Sequence, residues 1–209
     1  AGGATLFFGA DSSAGVSVTR LESRYGVPNR LEIGHEEDHE EDHEGEEHEH
    51  GDITLDMRQT RVDFRVDLGI GGGFLERVRL RGGWADYVHD EIEGSGEIGT
   101  TFLSNGGELR LELVQREANG WKGASGFQFL SRTLDAFGEE AYIPENSTDQ
   151  YGVFTLQEFD LGAFKAEASA RYERSEVRSD VADFDRGFNA FSGSVGASVG
   201  LGRGFRAGL

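Results

Sequence analysis

Between Gly34 and Asp52 the chain reads GHEEDHEEDHEGEEHEHGD, a ribbon that holds five of its six histidines: His35, His39, His43, His48 and His50. Aspartates, glutamates and one glycine fill the rest of 35–50. Imidazole nitrogen and carboxylate oxygen are together the donor set of zinc and related divalent transition metals. His35, His39 and His43 recur every four residues, so a helical turn would stack them on one face, whereas His48 and His50 share a face if the chain is extended. The run has no apolar side chain to bury and repels itself, which predicts a solvated loop. Such a loop captures metal at overlapping sites rather than in one tight cage, because ordering it costs entropy. Its acids attract cations and raise the imidazole pKa values, so capture should weaken as the histidines protonate at lower pH. The plainer alternative, a charged loop with incidental histidines, leaves their density unexplained, since His-rich tracts commonly bind metal.

The sixth histidine, His89 in DYVHDE, is the sharper single-residue candidate for a metal ligand. Strand alternation puts it on the face of Arg77, Arg79 and Arg81, with Asp86, Asp90 and Glu91 nearby in sequence. A rim histidine that only hydrogen bonds is the competing reading. Other chemistry is poorly supplied. The chain has no cysteine, which removes thiolate sites and disulfides. GSGEIG at 94–99 fits a dinucleotide fingerprint but is followed by a strand pattern, where the fingerprint needs a helix. With one histidine outside the ribbon, a Ser-His-Asp site has little material, and no enzyme or prosthetic group is expected. The formal charge of −19 and the lack of a basic patch argue against nucleic acid as a partner and for metal cations.

The elements that must position these residues are strands. FKAEASARYE alternates Phe164, Ala166, Ala168, Ala170 and Tyr172 with Lys165, Glu167, Ser169, Arg171 and Glu173. GELRLEL sets Leu109, Leu111 and Leu113 against Glu108, Arg110 and Glu112, and Val78 and Leu80 oppose Arg77, Arg79 and Arg81 in the same way. Strands are expected over 4–9, 14–22, 52–68, 74–88, 97–117, 121–133, 151–159, 162–175 and 189–200, with a tenth from Arg206. Within 52–68 the apolar phase shifts near Gln59 to Arg61, which suggests a bulge. Asn105-Gly106-Gly107 could break the fifth strand. Connections alternate short and long, with 23–51, 89–96, 134–150 and 176–188 as the long ones. That rhythm, together with one apolar and one charged face, predicts an all-β, antiparallel up-and-down transmembrane β-barrel portion with short periplasmic turns and long extracellular loops. No window is apolar enough for a transmembrane helix, but a barrel shows lipid only every second side chain. The charged face suits a wide, hydrated or plugged lumen. A soluble β-sandwich with one wet face per sheet is the alternative.

Several stretches, in this order, resemble one family: RYGVP at 24–28, the His/acid-rich ribbon, DMRQTRVDFRVDL at 56–68, VRLRGGWADYVHDEIEG at 78–94, EIGTTF at 97–102 and GEEAYIPENSTDQYGVFTLQEFDLG at 138–162. They look like the barrel of TonB-dependent outer-membrane receptors, most of all the zinc-uptake type, which carries a histidine-rich outside loop. The resemblance implies that 1–209 is a partial outer-membrane barrel domain, with 34–52 an extracellular loop within it. It implies zinc, ahead of other divalent metals, as bound substrate, and the outer membrane of a Gram-negative bacterium as location. Outer-membrane lipid and the TonB complex would be partners, the latter through a plug domain. Neither a plug nor a TonB-engaging motif is visible here, and about ten strands fall short of the family's ~22, so the chain resembles the N-terminal half of a longer receptor's barrel. A small barrel or a secreted sandwich that only sequesters divalent metal is the alternative function.

Overall fold

A computed structural model describes residues 1–27, 53–139, 141–202 and 204–209. The ribbon, with His35, His39, His43, His48 and His50, lies outside the described residues.

The described residues form one antiparallel sheet whose ten strands follow chain order. They are β1 (Gly2–Phe8), β2 (Ser12–Gly26), β3 (Thr54–Gly69), β4 (Leu75–Ile92), β5 (Ile98–Gln115), β6 (Trp121–Gly138), β7 (Asn146–Asp160), β8 (Phe164–Ser179), β9 (Phe184–Gly202) and β10 (Phe205–Gly208). Each strand pairs with its sequence neighbour, and β1 does not pair with β10, so the described strands make an open, curved-sheet portion rather than a closed small barrel. Among the described residues no apolar side chain is buried. A sandwich owes its stability to a second sheet packed on its inner face. None is present among the described residues, and the sandwich expectation is thereby corrected.

Local chemistry explains the turns at the short-connection end. Asn119 and Gly120 both have positive φ, 53° and 78°, as a two-residue I′ hairpin demands, and Ala118 and Trp121 exchange backbone hydrogen bonds of 2.9 and 3.0 Å across it. At the opposite end three connections are shorter than their sequence suggests. β4 runs on to Ile92, β6 to Gly138, and β8 and β9 meet across 180–183. Polar residues there continue the ladders, so much of the expected loop length is strand standing beyond the apolar zone.

Two further expectations are overturned. β3 has no bulge: its pairing is continuous from Thr54 to Asp67 with β2 and from Thr54 to Gly69 with β4. β5 does not break at Asn105-Gly106-Gly107 either, because all three pair on both sides. The phase shift in β3 has another cause. Val62, Phe64 and Val66 face outward in one zone, and further along the same face come Thr60, Arg58 and Asp56. Leu55 and Met57 face inward. The strand keeps its register while its surroundings change.

Register carries these faces across the whole sheet. Leu80, Leu111, Phe127, Val153 and Tyr172 sit side by side on the outer face. Arg81, Arg110, Gln128, Gly152 and Glu173 sit side by side on the inner one. Aromatic side chains mark both limits of the outer apolar zone. Near the short turns, Phe74 and Trp121 have ring centroids 5.9 Å apart, and Trp121 stacks on Phe159 at 6.0 Å. At the other limit Phe129 lies 5.0 Å from Tyr151, and the Tyr172 hydroxyl donates to Asn189 Oδ1 at 2.8 Å. From Phe164 to Tyr172 the strand path is about 26 Å at ~3.3 Å per residue, which a ~40° tilt reduces to about 20 Å of height. That is close to the ~25 Å apolar band of a membrane barrel with its aromatic girdles.

Candidate functional site

The inner face is an ionic wall. Arg61 donates to Asp63 at 2.8 Å and to Glu108 at 2.9 Å, joining β3 to β5 across the small Gly83 and Ala85 of β4. Arg77 and Arg79 both meet Asp67, at 2.5 and 3.5 Å, and Arg110 holds Glu112 at 2.7 Å. The Arg110 guanidinium also lies 4.2 Å from the centroid of the Phe154 ring. The Arg61–Glu108 pair is well exposed, at 41% and 48% of side-chain area, so it contributes at most ~1 kcal/mol. These groups pair opposite charges along and across neighbouring strands of the inner face. A concavity of about 550 Å³ lies against it, lined by Arg61, Asp63, Arg65, Arg81, Glu108 and Arg110 among others.

Toward the long-loop end the inner face changes character. Tyr25, Leu55, Met57, Tyr87, His89 and Phe102 occupy inward register positions there. The two faces thus have opposite gradients: outside, apolar then charged; inside, charged then aromatic and apolar. His89 belongs to this inner mouth and lies within β4 rather than at a loop entrance. It shares a face with Arg77, Arg79 and Arg81, as its spacing predicts.

Its expected neighbours divide between faces. Asp86 and Asp90 point away from it, on the outer face, while Glu91 shares its side. Asp90 is engaged elsewhere: it accepts from Arg58 at 3.0 Å and from the Thr101 hydroxyl at 2.7 Å. Among the described residues no cluster of three His, Asp or Glu side chains could hold a metal. His89 instead packs its ring 5.4 Å from Phe102 and 6.2 Å from Tyr87, with Nδ1 3.3 Å from the Tyr87 hydroxyl. Its Nε2 is buried without a hydrogen-bond partner. Leaving such a group unsatisfied ordinarily costs ~1–3 kcal/mol.

Sequence reasoning missed Met57, Tyr87 and Phe102. A bulge in β3 would have turned Met57 outward; only the unbroken pairing with β4 puts it opposite His89. Tyr87 was within reach of a simpler signal, since residues two apart on a strand share a face.

A single antiparallel sheet with a girdled apolar exterior and a charged interior is the wall of a membrane β-barrel. The sequence matches the family model described as TonB dependent receptor-like, beta-barrel, over residues 9–207, and the chain belongs to that family. Solved structures agree on the fold. The alcaligin outer-membrane receptor FauA of Bordetella pertussis superposes with a TM-score of 0.67 at 11% identity, over 99% of this chain and 33% of that one. The FrpB iron transporter of Neisseria meningitidis gives 0.70 at 12%, over 95% and 34%. The copper transporter OprC gives 0.61 at 12%, over 92% and 35%. The chain therefore spans about a third of the length of these structures. No curated protein matches. The matched structures are named as an outer-membrane receptor, an iron transporter and a copper transporter.

Proposed function

We propose that this chain forms part of the barrel wall of an outer-membrane receptor that takes up a metal ion, zinc foremost, and that residues 34–52 capture the ion outside the cell. The observation that carries this reading is the placement of the ribbon. Five histidines in sixteen residues connect β2 to β3 at the end of the sheet where the outer face has turned from apolar to charged. In a Gram-negative outer membrane that end is the extracellular one, since the short turns of such barrels face the periplasm. A donor-rich segment joining these two strands would raise the local metal concentration above the lumen, and the ionic wall below would keep the path hydrated. Iron and copper transport by FrpB and OprC supports metal as the class of cargo. Energised release would need a plug domain and the TonB complex, which the proposal assigns to other parts of a longer receptor.

Zinc titration calorimetry on the whole receptor tests the proposal. With His35, His39, His43, His48 and His50 replaced together by Ala, affinity should fall far more than with any single replacement, because the sites overlap. Equal affinity in wild type and the five-fold variant at neutral pH would reduce the ribbon to a solvated loop.

A further inference from the structure

Outside the ribbon the chain has one histidine, and it has one methionine. The unbroken β3–β4 register sets these two, Met57 and His89, directly opposite each other on the inner face. We propose that Met57 and His89 form a two-coordinate site for a soft monovalent cation of the Cu(I) type, at the inner mouth and independent of the ribbon.

The first argument is position. Side chains directly opposite on antiparallel strands have Cβ atoms ~4.5–5.5 Å apart, so a thioether and an imidazole can reach one ion between them. The second is the state of the imidazole. Tyr87 meets Nδ1 at 3.3 Å and fixes the ring, as the outer partner of a ligating histidine does. In the tautomer whose Nδ1–H donates to the Tyr87 oxygen, Nε2 presents a lone pair, and that atom is buried and has no partner in the structure. A bound cation would satisfy it. The third is selectivity. Thioether sulfur is a soft donor that selects Cu(I) over zinc. Among the described residues no set of three His or carboxylate ligands is available to complete a tetrahedral zinc site. The Phe102 and Tyr87 rings beside the imidazole limit water, which disfavours a strongly hydrated divalent ion. No change of oxidation state is involved. The ion binds by displacing its own weak ligands.

The test uses the whole receptor in detergent with the five ribbon histidines already replaced by Ala, so that ribbon binding and zinc capture do not enter. Silver(I) is titrated calorimetrically, and Cu(I) is titrated under anaerobic conditions against a chromophoric chelator. The expected result is a site whose affinity falls at least tenfold in Met57→Leu and again in His89→Gln. X-ray absorption should show a Cu–sulfur shell that is lost in Met57→Leu; this chain can supply that sulfur only from Met57, having no cysteine. Met57→Leu nearly conserves volume, and heat-modifiable gel migration checks that each variant is folded. Undiminished Cu(I) and Ag(I) affinity in both folded variants, or a copper shell of nitrogen and oxygen alone, would overturn the proposal. A ribbon that fails to bind zinc would leave it standing.

Discussion

Ala168 and Ser169 are adjacent in β8 and point to opposite faces, which makes them a test of the membrane assignment. Ala168 is exposed and lies midway between Phe164 and Tyr172, between the two aromatic limits of the outer zone. An arginine there would sit near the bilayer midplane, where the lipid face of a barrel is penalised by ~2–4 kcal/mol. That corresponds to roughly a 30- to 1,000-fold loss in the folding equilibrium constant. Ser169→Arg places the same charge one residue on, against a wall that already carries Glu167 and Arg171. Its cost is the exposed Ser169–Ser194 hydroxyl contact at 2.8 Å, about 1 kcal/mol at most. Equilibrium unfolding of the whole receptor in lipid vesicles, followed by tryptophan fluorescence, reads both. If the Ser169→Arg variant lost as much stability as Ala168→Arg, or more, the assignment of lipid and lumen faces would be wrong.

Other outcomes follow from particular contacts. Gly82 lies under the ring of its cross-strand partner Phe64, and a Cβ built there would meet that ring at 2.5 Å; Gly82→Ala should therefore displace the ring and cost ~1–3 kcal/mol in denaturant unfolding. Asp90→Ala should remove two cross-strand hydrogen bonds at the outer end of β4 and speed amide exchange along Arg58 and Thr101, with a cost of ~1–3 kcal/mol. Glu108→Gln should change stability by less than ~1 kcal/mol, since the Arg61–Glu108 pair is nearly half exposed; a larger loss in thermal unfolding would show that the wall is drier than its geometry indicates. Zinc capture should weaken as pH falls through the histidine range, because protonated imidazole cannot ligate. Neutralising the ribbon acids to Asn and Gln should slow capture more at low salt than at high salt in stopped-flow measurements.

The sequence by itself determined the strands and their faces. Period-two alternation in FKAEASARYE and GELRLEL commits each side chain to one side, and the alternation is local, so it needs no knowledge of partners. The ribbon's donor chemistry was legible for the same reason: composition alone carries it. Tertiary structure decided what depends on height in the wall. Thr60, Arg58 and Asp56 are polar on an outward face because β3 has left the apolar zone, a fact invisible to a pattern that assumes one environment per strand. The same extension turned the expected loops near Ile92, Gly138 and Ser179 into paired strand. It also brought Met57 opposite His89 and Tyr87 beside it, and left the Nε2 of that histidine without a partner. Pairing between strands is a non-local choice: a one-residue slip would move Met57 to the other face, and only the continuous ladder of β2, β3 and β4 forbids it.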